Sequence, residues 1–174
     1  MFSTETKIPK IRVAILIGKK GITKRDIEKR LNVKIEVTPE GDVTVNGEDS
    51  FENYIAIKII KAIGRGFNPK LALYLINDQY ILEVLNIKDY VGNSKAKMQR
   101  MKSRVIGTQG KAWKMVEKMG NVNISVFGKT VSIIGLIDDV EIAKQAIDKL
   151  LHGADHGKMF DFIERQKTRH FSLK

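Results

Sequence analysis

The chain has 174 residues, no cysteine and a formal net charge of +11, from 31 Lys and Arg against 20 Asp and Glu. The missing thiols exclude disulfides, thiolate catalysis and cysteine-based zinc sites, and no stretch reaches the ~20 apolar residues that span a bilayer. The expectation is a cytoplasmic protein, off the membrane, whose basic surface attracts polyanions.

From the N-terminus, the apolar residues Val13, Ile15, Leu16 and Ile17 lead into Gly18-Lys19-Lys20-Gly21, and a helical pattern containing Ile27 leads out. The glycine pair therefore joins two helices through a very short loop. Next, Val33, Ile35 and Val37 alternate with Lys34 and Glu36, the period of a strand with one buried face. Pro39-Glu40-Gly41-Asp42 turns the chain into Val43-Thr44-Val45, which closes on Gly47, so the pair reads as an antiparallel hairpin. Asp49-x-x-Glu52 then carries the signals of a helix start. That helix is expected to bury Tyr54, Ile57 and Ile60 and to stop near Gly64.

The same order returns 89 positions later, as Gly18 maps onto Gly107. Residues 95–104 form a basic helical stretch ahead of Ile106-Gly107-Thr108-Gln109-Gly110, and Val116-Glu117-Lys118 repeats Ile27-Glu28-Lys29. Val122, Ile124 and Val126 alternate again, Gly128-Lys129 turns, and Val131-Ser132-Ile133 closes on Gly135. Asp138-x-x-Glu141 repeats the helix start, with Ile142, Ala146, Ile147 and Leu150 inward and a stop near Gly153. A match this long defines a tandem duplication. It divides the chain into two small domains, 1–78 and 79–151, each of roughly 75 residues with a modest core. The tail 152–174, with Met159, Phe160, Phe162 and Ile163 followed by Arg165, Lys167 and Arg169, reads as an amphipathic helix.

The loops suit phosphate. Glycine at both ends frees the backbone and removes two Cβ atoms, and the amides opening the outgoing helix favour an anion. Lys19, Lys20, Lys24 and Arg25 surround the first loop; Arg100, Arg104, Lys111 and Lys114 flank the second, with no acidic residue between 94 and 114. Thr108 and Gln109 offer neutral hydrogen bonds. A nucleic-acid-facing surface is the expectation. Gly128-Lys129-Thr130 imitates the end of a phosphate-binding loop but has Asn123 in place of the leading glycine. His152 and His156 have metal-ligand spacing but no third ligand pattern. No nucleophile–base set is present, so no enzyme activity, cofactor or metal is expected.

Helix, Gly-x-x-Gly, helix, two strands, helix resembles a KH domain of eukaryotic-style (type I) topology, in Lys10-Ile11-Arg12-Val13-Ala14-Ile15-Leu16-Ile17-Gly18-Lys19-Lys20-Gly21 and in Arg104-Val105-Ile106-Gly107-Thr108-Gln109-Gly110-Lys111. The resemblance implies an α+β fold: three antiparallel strands on three helices in each unit, plus a C-terminal helix. It places the opening strands around residues 4–8 and 80–87. Arg65-Gly66-Phe67-Asn68-Pro69, Ile87-Lys88-Asp89-Tyr90-Val91-Gly92 and His152-Gly153-Ala154-Asp155-His156 are similar to archaeal relatives of the "partner of Nob" proteins. These are two-KH assembly factors that bind small-subunit ribosomal RNA near its 3′ end and work with the Nob endonuclease.

By that resemblance single-stranded RNA, about four nucleotides per unit, passes over Gly107-Thr108-Gln109-Gly110 or Gly18-Lys19-Lys20-Gly21. Lys24, Lys111, Lys114, Arg100 and Arg104 face it, and Ile106, Val116 and Ile124 floor the groove of the second unit, the primary site. The alternative is a general KH-domain mRNA regulator or an exosome-type adaptor.

Overall fold

In the computed structural model, which describes residues 1–172, the two copies are separate compact units, Met1–Asp78 and the chain from Gln79 onward. The first runs β1 (Phe2–Lys7), α1 (Lys10–Ile17), α2 (Ile22–Leu31), β2 (Val33–Val37), β3 (Asp42–Gly47), α3 (Ser50–Gly64) and α4 (Pro69–Ala72). β3 is the central strand, antiparallel to both neighbours, with Val45 opposite Thr4 on one side and Ile35 on the other. The alternation works as expected: Val33, Ile35, Val43 and Val45 are buried, as are Ile59, Ile60 and Ile63 of α3. Each such side chain removed from water contributes about 1.5–3 kcal/mol.

The second unit runs β4 (Tyr80–Asn86), α5 (Lys88–Val91), α6 (Lys95–Ile106), α7 (Lys111–Gly120), β5 (Asn123–Phe127), β6 (Thr130–Leu136), α8 (Ile137–Leu151) and α9 (His156–Ser172). Its sheet order is β4-β6-β5, with Ile133 opposite both Glu83 and Ile124. The core gathers Ile87, Val105, Val116, Ile124, Ile133, Ile147 and Leu150, and α9 adds Met159 and Ile163 to the same cluster. The tail is thus a structural part of this unit.

Three local expectations need correction. β1 ends at Lys7; Ile8 leaves the sheet, donates its N–H to the Gly41 carbonyl and is buried. Tyr54 points outward, 58% exposed, while Ile55, Ile59 and Ile63 hold the inner face of α3. Asp49 caps α3 by accepting from the Phe51 N–H, but Asp138 caps nothing. α8 starts directly from β6, with the Ile137 N–H taken by the Gln79 carbonyl. Asp138 and Asp139 lie in the first turn and instead pair with His170 and Lys167 of α9.

Candidate nucleic-acid interface

The two glycine loops have the same backbone. Gly18 and Gly107 have φ/ψ of 73/171 and 71/176. Lys20 and Gln109 sit in the left-handed region at 53/26 and 54/29, and Gly21 and Gly110 come next at 74/16 and 72/13. Within each loop the glycines do different things. A Cβ on Gly18 would lie 2.2 Å from Thr23 Oγ1, and one on Gly107 would lie 2.5 Å from Ala112 Cβ. The first glycine therefore lets the outgoing helix fold back against the loop. At Gly21 and Gly110 an added Cβ would meet only the side chains of Arg25 and Lys114, at 4.0 Å. The second glycine keeps an open face beneath two cations.

The start of each outgoing helix favours an anion. Neither α2 nor α7 receives a side-chain cap, and neither has an acidic residue in its first turn. The loop itself takes the first amides, as Ile22 and Lys111 donate to the Lys19 and Thr108 carbonyls, and the helix dipole adds positive potential there. Elsewhere the chain does cap its helices, with Asp49 on α3 and Ser94 on α6. Lys19, Lys20, Thr108, Gln109, Lys111, Lys114 and Arg100 are all exposed.

Other expected contact residues have structural work. Lys24 Nζ donates to Glu28 Oε1 (2.9 Å) and to the Ile35 carbonyl (2.8 Å), and Glu28 Oε1 accepts the Ile35 N–H (2.8 Å). This clamp ties α2 to the outer edge of β2. Lys20, Gly21, Lys24, Arg25, Glu28, Val33 and Lys34 line one shallow basic depression there. In the second unit Glu117 Oε1 holds the Ile124 N–H in the same way (2.8 Å). Trp113 replaces the lysine; its ring packs on the core and its buried indole N–H has no protein partner. Val116 and Ile124 are core residues, 2% and 5% exposed, so they support the groove from beneath and leave Ile106, half-buried, nearest the surface.

Arg104 is half-buried: its Nη2 donates to the Ala154 carbonyl (2.6 Å), while its own carbonyl bonds His156 Nε2 (2.7 Å). Arg12 plays the matching part in the first unit, donating to the carbonyls of Ile63 (2.8 Å) and Phe67 (2.9 Å). Burial lowers its guanidinium pKa from the ordinary value. Each incoming helix is thus pinned by an arginine to the chain around the end of α3 or α8.

The histidine pair does not assemble a site. His152 Nδ1 lies 2.9 Å from the Asp148 carbonyl and its ring meets Tyr90 edge-on. Asp155 caps α9 through the Lys158 N–H (2.8 Å), the main reason its carboxyl lies below the ordinary value. Among the described residues no group of three metal-ligating side chains is found, and no helix is long and apolar enough to cross a membrane.

The repeat also encodes a contrast that becomes evident only with the loops in place. Ile11, Ile15 and Ile22, exposed by 75%, 40% and 59%, surround the first loop. At the positions 89 residues on stand Arg100, Arg104 and Lys111. Each of these apolar flanks of the first loop is a cation at the second.

Comparison with known proteins agrees with this architecture. The family described as eukaryotic type KH-domain (KH-domain type I) matches residues 81–168, and a KH domain family matches residues 3–62. A KH domain-containing protein of Methanocaldococcus jannaschii is 46% identical over 167 residues, covering 94% of this chain and 73% of that one. The pre-rRNA-processing protein PNO1 of Coccidioides immitis is 26% identical over 145 residues, covering 82% of this chain but only 56% of that protein. Among solved structures, Dim2p of Pyrococcus horikoshii superposes with a TM-score of 0.88 at 40% identity, covering 95% of this chain and 99% of that one. A complex described as a/eIF2alpha-aDim2p-rRNA from the same organism gives 0.90 at 41% identity, covering 97% and 95%.

Proposed function

Because the chain belongs to the PNO1/Dim2 family of two-KH-domain proteins, we propose that it binds single-stranded ribosomal RNA during maturation of the small ribosomal subunit. The strand lies near the 3′ end of that RNA, and the protein presents it, in the cytoplasm, to an endonuclease partner of the Nob type without performing catalysis itself. Relatives named for pre-rRNA processing and a similar protein solved with rRNA support the reading.

The observation that carries it is the pair of loops. Two independent copies hold the same strained backbone, each leading into a helix with no side-chain cap and no acid in its first turn, and each bordered by exposed cations. That arrangement receives successive phosphates through the main chain and leaves the bases to the groove beside α2 or α7 and the neighbouring strand edge. The second unit is the primary site because its flanks add long-range attraction for the strand.

Crosslinking the protein to RNA in cells and sequencing the bound fragments tests this reading. Enrichment at the 3′ end of small-subunit rRNA is expected. Crosslinks scattered over messenger RNA overturn it in favour of a general regulator.

A further inference from the structure

Most of the outer face of α9 is exposed, and its composition is far from neutral, although Phe162 on that face also packs against the core. The inner face buries Met159 and Ile163, and Lys167 and His170 pair with the first turn of α8. Those contacts fix the helix, so the outer side chains stand in a defined row. Lys158, Phe162, Arg165 and Arg169 occur at spacings of four, three and four residues, which places them on one stripe about 17 Å long. Lys149 and His152, from the end of α8, face the stripe across an open groove of ≈ 590 Å³.

The charges in this groove are nearly all of one sign. Asp161 is its one acidic lining residue. Arg165 and Arg169 form no ion pair among the described residues, and Lys158 meets only the exposed Asp155, at 3.6 Å. Lys149 Nζ lies 5.0 Å from the centre of the Phe162 ring. Lys149, Lys158, Arg165 and Arg169 outnumber the carboxylates of Asp155 and Asp161 around a concave groove that also holds one aromatic ring, a combination that suits a polyanion carrying flat apolar faces. A solvated helix face explains charge but not the concavity or the ring. The border of the groove is tied to α6, the helix that leads into the second glycine loop. Ala154, on its border, accepts the hydrogen bond from Arg104, which lies one helical turn before Gly107. That continuity favours the same nucleic-acid strand over an acidic protein segment.

We propose that this groove is an additional RNA subsite of the second unit. It takes phosphates of the strand that crosses Gly107-Thr108-Gln109-Gly110 and seats one base against Phe162. The inference rests on the RNA-binding function proposed above and lengthens the footprint beyond the nucleotides that one KH unit holds.

The test measures affinity of the full chain for two single-stranded RNAs from the small-subunit rRNA 3′ end, about five and about twelve nucleotides long. The comparison is with R165Q/R169Q, two exposed changes that leave the loops untouched. The wild type should bind the longer RNA more tightly. The variant should lose about tenfold on the longer RNA and about 1.4 of its salt slope, with the shorter RNA unaffected. Equal affinity of variant and wild type for the longer RNA overturns the subsite while leaving the loop function intact. Failure of the wild type to bind either RNA overturns the function itself. A variant that keeps both RNA affinities but loses binding to a polyglutamate peptide assigns the groove to an acidic protein and also overturns the subsite.

Discussion

The first and second glycine loops have nearly the same backbone and opposite surroundings. Loop dihedrals agree within a few degrees, while Ile11, Ile15 and Ile22 around one loop become Arg100, Arg104 and Lys111 around the other. The difference separates two properties that a motif name merges. Backbone shape comes from packing: the first glycine must accommodate residue 23 or 112, whatever the surface carries. Affinity for a polyanion comes from the flanks, which packing leaves free to diverge. The first loop carries charge between the glycines, in Lys19 and Lys20, and just after them, in Lys24 and Arg25, but is apolar at Ile11, Ile15 and Ile22. The second is neutral between the glycines and basic outside.

The largest effect expected from breaking this shared geometry is at the first glycine of each loop. Gly18→Ala and Gly107→Ala place a Cβ against Thr23 or Ala112 at a positive φ, and each should cost about 3 kcal/mol in urea unfolding. Gly21→Ala and Gly110→Ala meet no such obstacle and should cost about 1 kcal/mol, from backbone strain alone. Equal costs at the two positions contradict the division of labour. Next come the arginines that pin the incoming helices. Arg12→Ala and Arg104→Ala each remove charge-assisted bonds to carbonyls and should lower the stability of their own unit by about 2 kcal/mol.

The flanks are separated by salt. Arg100→Gln, Lys111→Gln and Lys114→Gln together should weaken RNA binding about tenfold and flatten its salt dependence by about 2. Ile11→Ser, Ile15→Ser and Ile22→Ser should leave the slope unchanged. The smallest effect distinguishes the units by pH. Tyr90 donates to Asp148 (2.7 Å), and burial first, then that bond and the nearby carboxylates, raises its pKa to about 12. The folded unit therefore holds the phenol proton more tightly than the unfolded chain does. Its stability contribution is intact below pH 10 and declines as pH rises through about 12. Alkaline melting of Tyr90→Phe should lack that component of the decline.

Local sequence made much of this visible. The repeat, the strand alternation at Val33, Ile35 and Val37, and the loop glycines are short-range patterns whose physics is local. What escaped depends on residues far apart in the chain. Asp138 looks like a cap, but β6 runs straight into α8 and the aspartate is used by α9, some thirty residues on. Arg104 looks like a free cation until Ala154, fifty residues later, supplies its partner. Lys24 likewise reads as a phosphate contact, although Glu28 and the edge of β2 hold it. Ile124 alternates as a strand residue must, but its side is the core side. The α9 groove becomes concave only when the end of α8 is placed beside it.

The central claim is that single-stranded RNA is held by the glycine loops and chiefly by the second. Equilibrium titration of a fluorescent RNA from the small-subunit rRNA 3′ end, with the wild type, T108D/Q109D and K19D/K20D, tests it most directly. The account predicts a loss of about a hundredfold for the second-loop variant, with both variants fully folded, and a smaller loss for the first-loop variant. Tight binding retained by both variants contradicts it.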